Sequence, residues 1–103
     1  MLVAFSVAPS TADPSGSVSE AVAAAVKVVR DSGLPCRTDA MFTTLEGSWK
    51  ECMAVVEAAC EAAGRYGERV SLVLKADIRP GYDGELTAKV QRVEDLLARD
   101  TGS

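Results

Sequence analysis

The run from Phe42 to Lys50, Phe-Thr-Thr-Leu-Glu-Gly-Ser-Trp-Lys, leaves this chain little choice of architecture. A β-rich segment, Phe42 to Leu45, ends in a carboxylate, Glu46. Gly47 then supplies a turn, and Ser48 with Glu51 three positions on forms a capping box, the signature of a helix N-terminus. A strand therefore hands over abruptly to a helix and delivers hydroxyls and a carboxylate to its own C-terminal end. Burying an ionised Glu beside such a turn without partners is too unfavourable, so Glu46 must be exposed, paired with donors or open to a ligand. It is the first candidate binding residue.

The rest of the chain alternates in the same way. Leu2 to Val7 is an apolar strand with Val3, Phe5 and Val7 on one side and Leu2, Ala4 and Ser6 on the other. A turn-rich stretch, Pro9 to Gly16, separates it from a second capping box, Ser17 with Glu20. From there Val18, Ala21, Val22, Ala25, Val26 and Val29 recur at helical spacing until Gly33 and Pro35 stop the helix. Cys36 to Ala40 alternates as an edge strand, with Arg37 and Asp39 on one face, and pairs with Phe42 to Glu46 as a hairpin. The helix opened at Trp49 runs to about Ala63, and Gly64 and Gly67 end it. Val70 to Arg79 is the longest strand, with Val70, Leu72, Leu74, Ala76 and Ile78 facing the core and Ser71, Val73, Lys75, Asp77 and Arg79 opposite. After Pro80-Gly81-Tyr82-Asp83-Gly84 a third helix carries Leu86, Val90, Val93 and Leu97 inward and ends near Asp100.

The order βαββαβ plus a C-terminal helix predicts an α+β, ferredoxin-like domain over residues 1–103, with an antiparallel sheet in the order 4-1-3-2. The first two helices cover one face of such a sheet. The other face, carrying the polar side of the fourth strand, must meet the third helix, a second subunit or a ligand.

Composition narrows the chemistry. The chain has no histidine, which removes Cys/His and Ser/His/Asp catalysis, an imidazole base and the usual zinc sites together. With 11 basic and 15 acidic residues and a net charge of -4, it lacks the basic surface that nucleic acid or an anionic membrane requires. Cys36, Cys52 and Cys60 form no CxxC, and Cys52 and Cys60 lie roughly 12 Å apart along one helix, too far for a disulfide. Three unpaired cysteines point to a reduced, cytoplasmic protein. The apolar N-terminus is too short to span a bilayer and has no basic flank.

Three motifs in this order, Thr43-Thr44-Leu45-Glu46-Gly47, Lys75-Ala76-Asp77-Ile78-Arg79 and Lys89-Val90-Gln91-Arg92-Val93-Glu94, resemble the MTH1187/YkoF-like thiamine-binding proteins. The resemblance runs from Val3 to Leu97. It departs from the family at Ala8-Pro9-Ser10-Thr11, where relatives carry a Gly-Thr, and at Ala76, where isoleucine is common. It implies a ferredoxin-like fold, homodimers or homotetramers built from paired sheets, no cofactor, and binding of thiamine or its hydroxymethylpyrimidine moiety without catalysis.

Thiamine presents an aminopyrimidine edge and a fixed thiazolium cation, and so calls for hydroxyls, carboxylates and an aromatic wall. In this scheme Glu46 accepts from the amino group, Thr44 or Thr43 serves a ring nitrogen and Asp77 offsets the cation, with Ser6 and Lys75 completing the candidates. Strict alternation puts Thr44, and not Thr43, on the face of Glu46. The bland alternatives are that Glu46 only favours the following helix dipole and that Lys75, Asp77 and Arg79 form a charge ladder or a subunit contact. A structural or regulatory homo-oligomer that binds another small metabolite is the competing function. An acylphosphatase-like activity would need an arginine in the loop after the first strand, and that loop has none.

Overall fold

The computed structural model describes residues 1–10 and 18–101, the side chains of 100 and 101 excepted. Its elements are β1 (Leu2–Pro9), α1 (Ser19–Asp31), β2 (Cys36–Thr38), β3 (Thr43–Glu46), α2 (Trp49–Ala63), a 3-10 turn (Gly64–Tyr66), β4 (Val70–Asp77) and α3 (Glu85–Thr101). The strands form one antiparallel sheet in the order β2-β3-β1-β4, the ferredoxin-like arrangement expected. The second strand is shorter than its alternation suggests. It stops at Thr38, and the Asp39 N–H closes the hairpin on the Phe42 carbonyl at 2.9 Å.

β1 is the centre of the sheet. It pairs with β3 from Leu2↔Glu46 to Phe5↔Thr43 and along its whole length with β4, from Leu2↔Asp77 to Pro9↔Val70. Alternation then sends Val3, Phe5 and Val7, with Thr43 and Leu45, under α1 and α2. These meet Ala21, Ala25 and Val29 of α1 and Cys52, Val56, Ala59 and Ala63 of α2 in one buried cluster. The alanines let both helices approach the sheet closely.

The helix ends follow local chemistry. At α2 the Ser48 hydroxyl accepts from the Glu51 N–H at 3.2 Å, and the Glu51 carboxylate accepts from the Ser48 N–H at 3.0 Å, so the capping box is complete. The bond from the Ser48 backbone also holds the Glu51 carboxyl below its ordinary range. α1 ends where expected, with Gly33 at φ +80 just beyond its last turn. The Ser17–Glu20 capping box lies partly outside the described residues, because Ser17 is not among them. Among the described residues no helix is long and apolar enough to cross a membrane.

Gly67 has a different job from the one its place after a helix suggests. The chain continues from α2 into the 3-10 turn, and Gly67 passes against the end of β1, where an added Cβ would stand 1.6 Å from the Ser10 carbonyl oxygen. That close approach lets the Ser10 N–H donate to the Arg69 carbonyl at 2.7 Å and the Arg69 N–H donate to the Ser10 hydroxyl at 3.1 Å. The first bond extends the β1–β4 ladder by one residue, and the second, to a side chain, fastens its end.

The third helix departs from expectation. Its apolar side was expected to turn inward, yet Val90, Val93 and Leu97 are 51%, 55% and 54% exposed. The stripe exists, but in this single chain only the first turns of α3 meet the sheet.

Because any side chain at 67 collides with backbone and not with a yielding side chain, Gly67→Ala should lower unfolding free energy by about 1–3 kcal/mol. Denaturant titration beside Gly64→Ala, where the added Cβ meets only a Val70 methyl at 3.6 Å, checks that the loss is specific.

Candidate ligand-binding site

The register sorts the candidate residues onto two faces. Thr44 and Glu46 on β3, Leu2, Ala4 and Ser6 on β1, and Lys75 and Asp77 on β4 share the open face, opposite α1 and α2. Thr43 sits on the helix-covered face and is 7% exposed. The expected division between Thr44 and Thr43 is the one observed.

On the open face, Thr44, Lys75 and Asp77 border a groove of about 380 Å³ over Leu2 and Ala4, closed on one side by Lys89 of α3. Lys89 donates to the Asp77 carboxylate. That hydrogen bond, reinforced by the lysine's charge, holds the Asp77 carboxyl below its ordinary range. Lys75 adds a second ammonium beside the pair, so the groove leans cationic.

Glu46 does not open into this groove as a free acceptor. One of its carboxylate oxygens accepts the Glu85 N–H at 2.9 Å and the other the Leu86 N–H at 3.3 Å. These are orphan donors at the start of α3, so Glu46 caps a helix from a strand far away in sequence. The sequence offered the helix dipole as an alternative partner for Glu46, but pointed to α2 and not α3. The same first turn holds Glu85, whose side chain is 6% exposed and accepts from Arg92 at 2.6 Å, one turn pair further along α3. This bond raises the affinity of the Arg92 guanidinium for its proton. Beside it, Arg79 lies 3.7 Å from the centre of the Tyr82 ring, a cation–π contact that fixes the turn leading into α3.

A second cavity lies at the opposite end of the sheet, under α1. It measures about 190 Å³ and is bounded by Phe5, Ser6 and Val7 of β1, by Val22, Ala25 and Val26 of α1, and by the hairpin from Thr38 to Thr43. Its walls are apolar and aromatic, from Phe5 and Phe42. Its polar groups converge at the hairpin: the Thr38 and Thr43 hydroxyls lie 3.4 Å apart, the long limit of a hydrogen bond, and Asp39 stands at the exposed rim with Arg37 Nε 3.6 Å away. Of the candidates, Thr43 belongs here, while Thr44, Lys75 and Asp77 belong to the groove; Ser6 borders this cavity, but alternation sends its side chain to the open face.

Sequence reasoning did not single out Thr38, Asp39 or Phe42. The signal was the hairpin itself, since residues flanking a tight connection converge in space whatever their spacing to the other motifs. The three cysteines are unpaired thiols. Burial pushes the Cys52 and Cys60 thiols up from their ordinary range, which keeps them protonated and unreactive.

A four-stranded antiparallel sheet with three helices in ferredoxin-like order defines a small α+β domain. Residues 3–94 match the family described as thiamine-binding protein, and the chain belongs to that family. It is 52% identical over 100 residues to a UPF0045 protein of Mycobacterium tuberculosis, covering 96% of each chain. Among solved structures it resembles a hypothetical protein of Methanocaldococcus jannascii, with a TM-score of 0.80 and 27% identity over 90% of this chain and 94% of that one. It also shares its fold with a Thermotoga maritima protein provisionally assigned to thiamine biosynthesis or salvage, with a TM-score of 0.71 and 22% identity over 87% of this chain and 96% of that one.

Two outcomes follow. Glu46→Ala should leave the Glu85 and Leu86 amides unsatisfied, costing about 1 kcal/mol of stability and accelerating hydrogen exchange at those two amides ahead of the β1 amides. For Asp77, the folded carboxyl titrates below its unfolded counterpart. Its stabilising contribution is therefore complete above the unfolded carboxyl range and is lost as pH falls through the folded value. In Lys89→Met, NMR titration of the Asp77 carboxyl should move back up to the ordinary range and this acid-side loss should disappear.

Proposed function

We propose that this protein binds thiamine or its hydroxymethylpyrimidine moiety without transforming it, in the cavity between α1 and the β2–β3 hairpin. The observation that carries the reading is the threonine pair, Thr38 and Thr43, set between the Phe5 and Phe42 walls with Asp39 at the rim. An aminopyrimidine needs hydrogen-bonding partners that both donate and accept, and hydroxyls do both. Its ring buries against aromatic walls, and the thiazolium cation then lies toward the Asp39 carboxylate. Family membership and the thiamine-related name of the Thermotoga relative favour the same ligand.

The open-face groove suits this ligand less well. The Glu46 oxygens are engaged at α3, and Lys75 and Lys89 surround Asp77 with positive charge, which opposes a cation. A role as carrier, buffer or sensor needs only binding and release, and the absence of histidine is consistent with that. Self-association through the open face is part of this reading. So is a reducing, cytoplasmic setting, which suits free thiols at Cys36, Cys52 and Cys60.

Isothermal titration separates the sites. Wild-type protein should give saturable heat with thiamine and with hydroxymethylpyrimidine. Thr43→Val should weaken both by about tenfold, the loss of one hydrogen bond, while Thr44→Val changes neither. Asp39→Asn should weaken thiamine and leave the neutral pyrimidine alone. No heat with either compound would return the chain to the alternative of a structural or regulatory homo-oligomer, and a loss confined to Thr44→Val would move the site to the open face.

A further inference from the structure

We infer that Met41 is an oxidation site at the mouth of the cavity under α1, where conversion of its thioether to the sulfoxide by a hydroperoxide weakens ligand binding. The inference concerns regulation of that cavity and rests on the reading above for the ligand.

Met41 stands in the tip of the β2–β3 hairpin, between Ala40 and Phe42. It is 77% exposed, the most exposed large apolar side chain among the described residues. It nevertheless lines the cavity, and so does Val22 of α1, itself 38% exposed. The two therefore mark the solvent end of a space whose floor is the buried Phe5. A single apolar side chain in water needs no explanation. A pair on opposite lips of one cavity, one from a helix and the other from a hairpin, does.

Polar residues and glycine dominate tight bends, and nothing in this hairpin requires a thioether. The bend is closed by backbone alone, the Asp39 N–H donating to the Phe42 carbonyl. Methionine, however, has three rotatable side-chain bonds and a polarisable sulfur that packs well on aromatic rings. With an aromatic ligand in the cavity, Met41 can fold over the ligand's outer face toward Val22 and leave water. Binding then buries apolar surface that the free chain exposes, which adds to affinity.

That contact is what oxidation removes. The sulfur lone pair attacks the terminal oxygen of the hydroperoxide, and an S–O bond forms as the O–O bond breaks. The sulfur gives up two electrons, and the departing oxygen takes the proton and leaves as an alcohol or water. The sulfoxide is polar, and folding it over an aromatic ring strips its water without supplying a donor. Thr38, Thr43 and Asp39 are untouched, so binding is weakened and not abolished.

A thioether needs no ionisation before it reacts, so access to solvent selects the site. Met1 and Met53 are partly buried against the core, and Cys36 is half-buried. Cys52 and Cys60 are kept protonated by burial. Met41 is thus the most open sulfur among the described residues.

Limited treatment of the full chain with hydrogen peroxide, followed by peptide mass spectrometry and titration with thiamine, tests this. Met41 should gain one oxygen before Met53 does, and the oxidised chain should bind thiamine about tenfold more weakly, the loss of a modest apolar contact. Methionine sulfoxide reductases of both stereospecificities should restore the affinity, whereas dithiothreitol, which reverses only cysteine oxidation, should not. Met41→Leu, whatever its own affinity, should show no change on peroxide treatment, and Met41→Gln should bind as weakly as the oxidised wild type. Oxidation of Met53 ahead of Met41, an unchanged affinity once Met41 is fully oxidised, or a loss that persists in Met41→Leu would overturn the inference. An untreated chain that binds neither thiamine nor hydroxymethylpyrimidine removes the ligand reading alone. The mouth is then read with xenon, an apolar probe of cavities. Its shifts of the Val22 and Val26 methyl resonances should shrink when Met41 is oxidised, and unchanged shifts would overturn the inference.

Discussion

A sheet has two faces, and this chain places both of its well-packed helices on one of them. Most other features follow from that asymmetry. The covered face is apolar at Val3, Phe5 and Val7 of β1 and at Leu45 of β3, with Thr43 the buried polar exception, which makes the register unforgiving. The uncovered face is free to carry threonine, lysine and carboxylates, and it is where α3 begins. Each face then hosts its own cavity: an apolar one with hydroxyls under α1, and a cationic groove where α3 leaves the sheet.

α3 is attached by polar contacts rather than by a core. Glu46 receives two backbone N–H groups, Asp77 pairs with Lys89, and Glu85 and Arg92 pair within the helix. Such bonds fix direction well and contribute little net free energy when solvent reaches them. The helix is thus oriented without being buried.

The sequence made the architecture readable where the deciding interaction is local. The capping box at Ser48 and Glu51 and the stop at Gly33 involve residues a few positions apart, and both appear as expected. The strand read as Val70 to Arg79 ends instead at Asp77, and Leu72 and Ile78, expected in the core, are exposed because neither α1 nor α2 covers them. What stayed hidden depends on partners distant in the chain. Glu46 could be recognised as a carboxylate in need of donors, but nothing near it names Glu85 and Leu86 as their source. Periodicity identified the apolar stripe of α3 correctly and could not say what the stripe faces. The cavity under α1 was illegible in the same way, because its walls come from β1, α1 and the β2–β3 hairpin, which lie far apart in the chain. Gly67 shows the same limit, since it reads as a helix terminator and serves as clearance for Ser10.

The central position of β1 also sets an order of events. This strand emerges first, and it can pair with β3 once the hairpin residues are made, but its other edge waits for β4, with Leu2 meeting Asp77 and Pro9 meeting Val70. Closing a loop of that length is among the slower steps a small domain faces. During that interval the strand destined for the middle of the sheet offers a bare edge, and Phe5 and Val7 have only part of their final surroundings. A growing chain is therefore most open to wrong pairing before its last strand arrives.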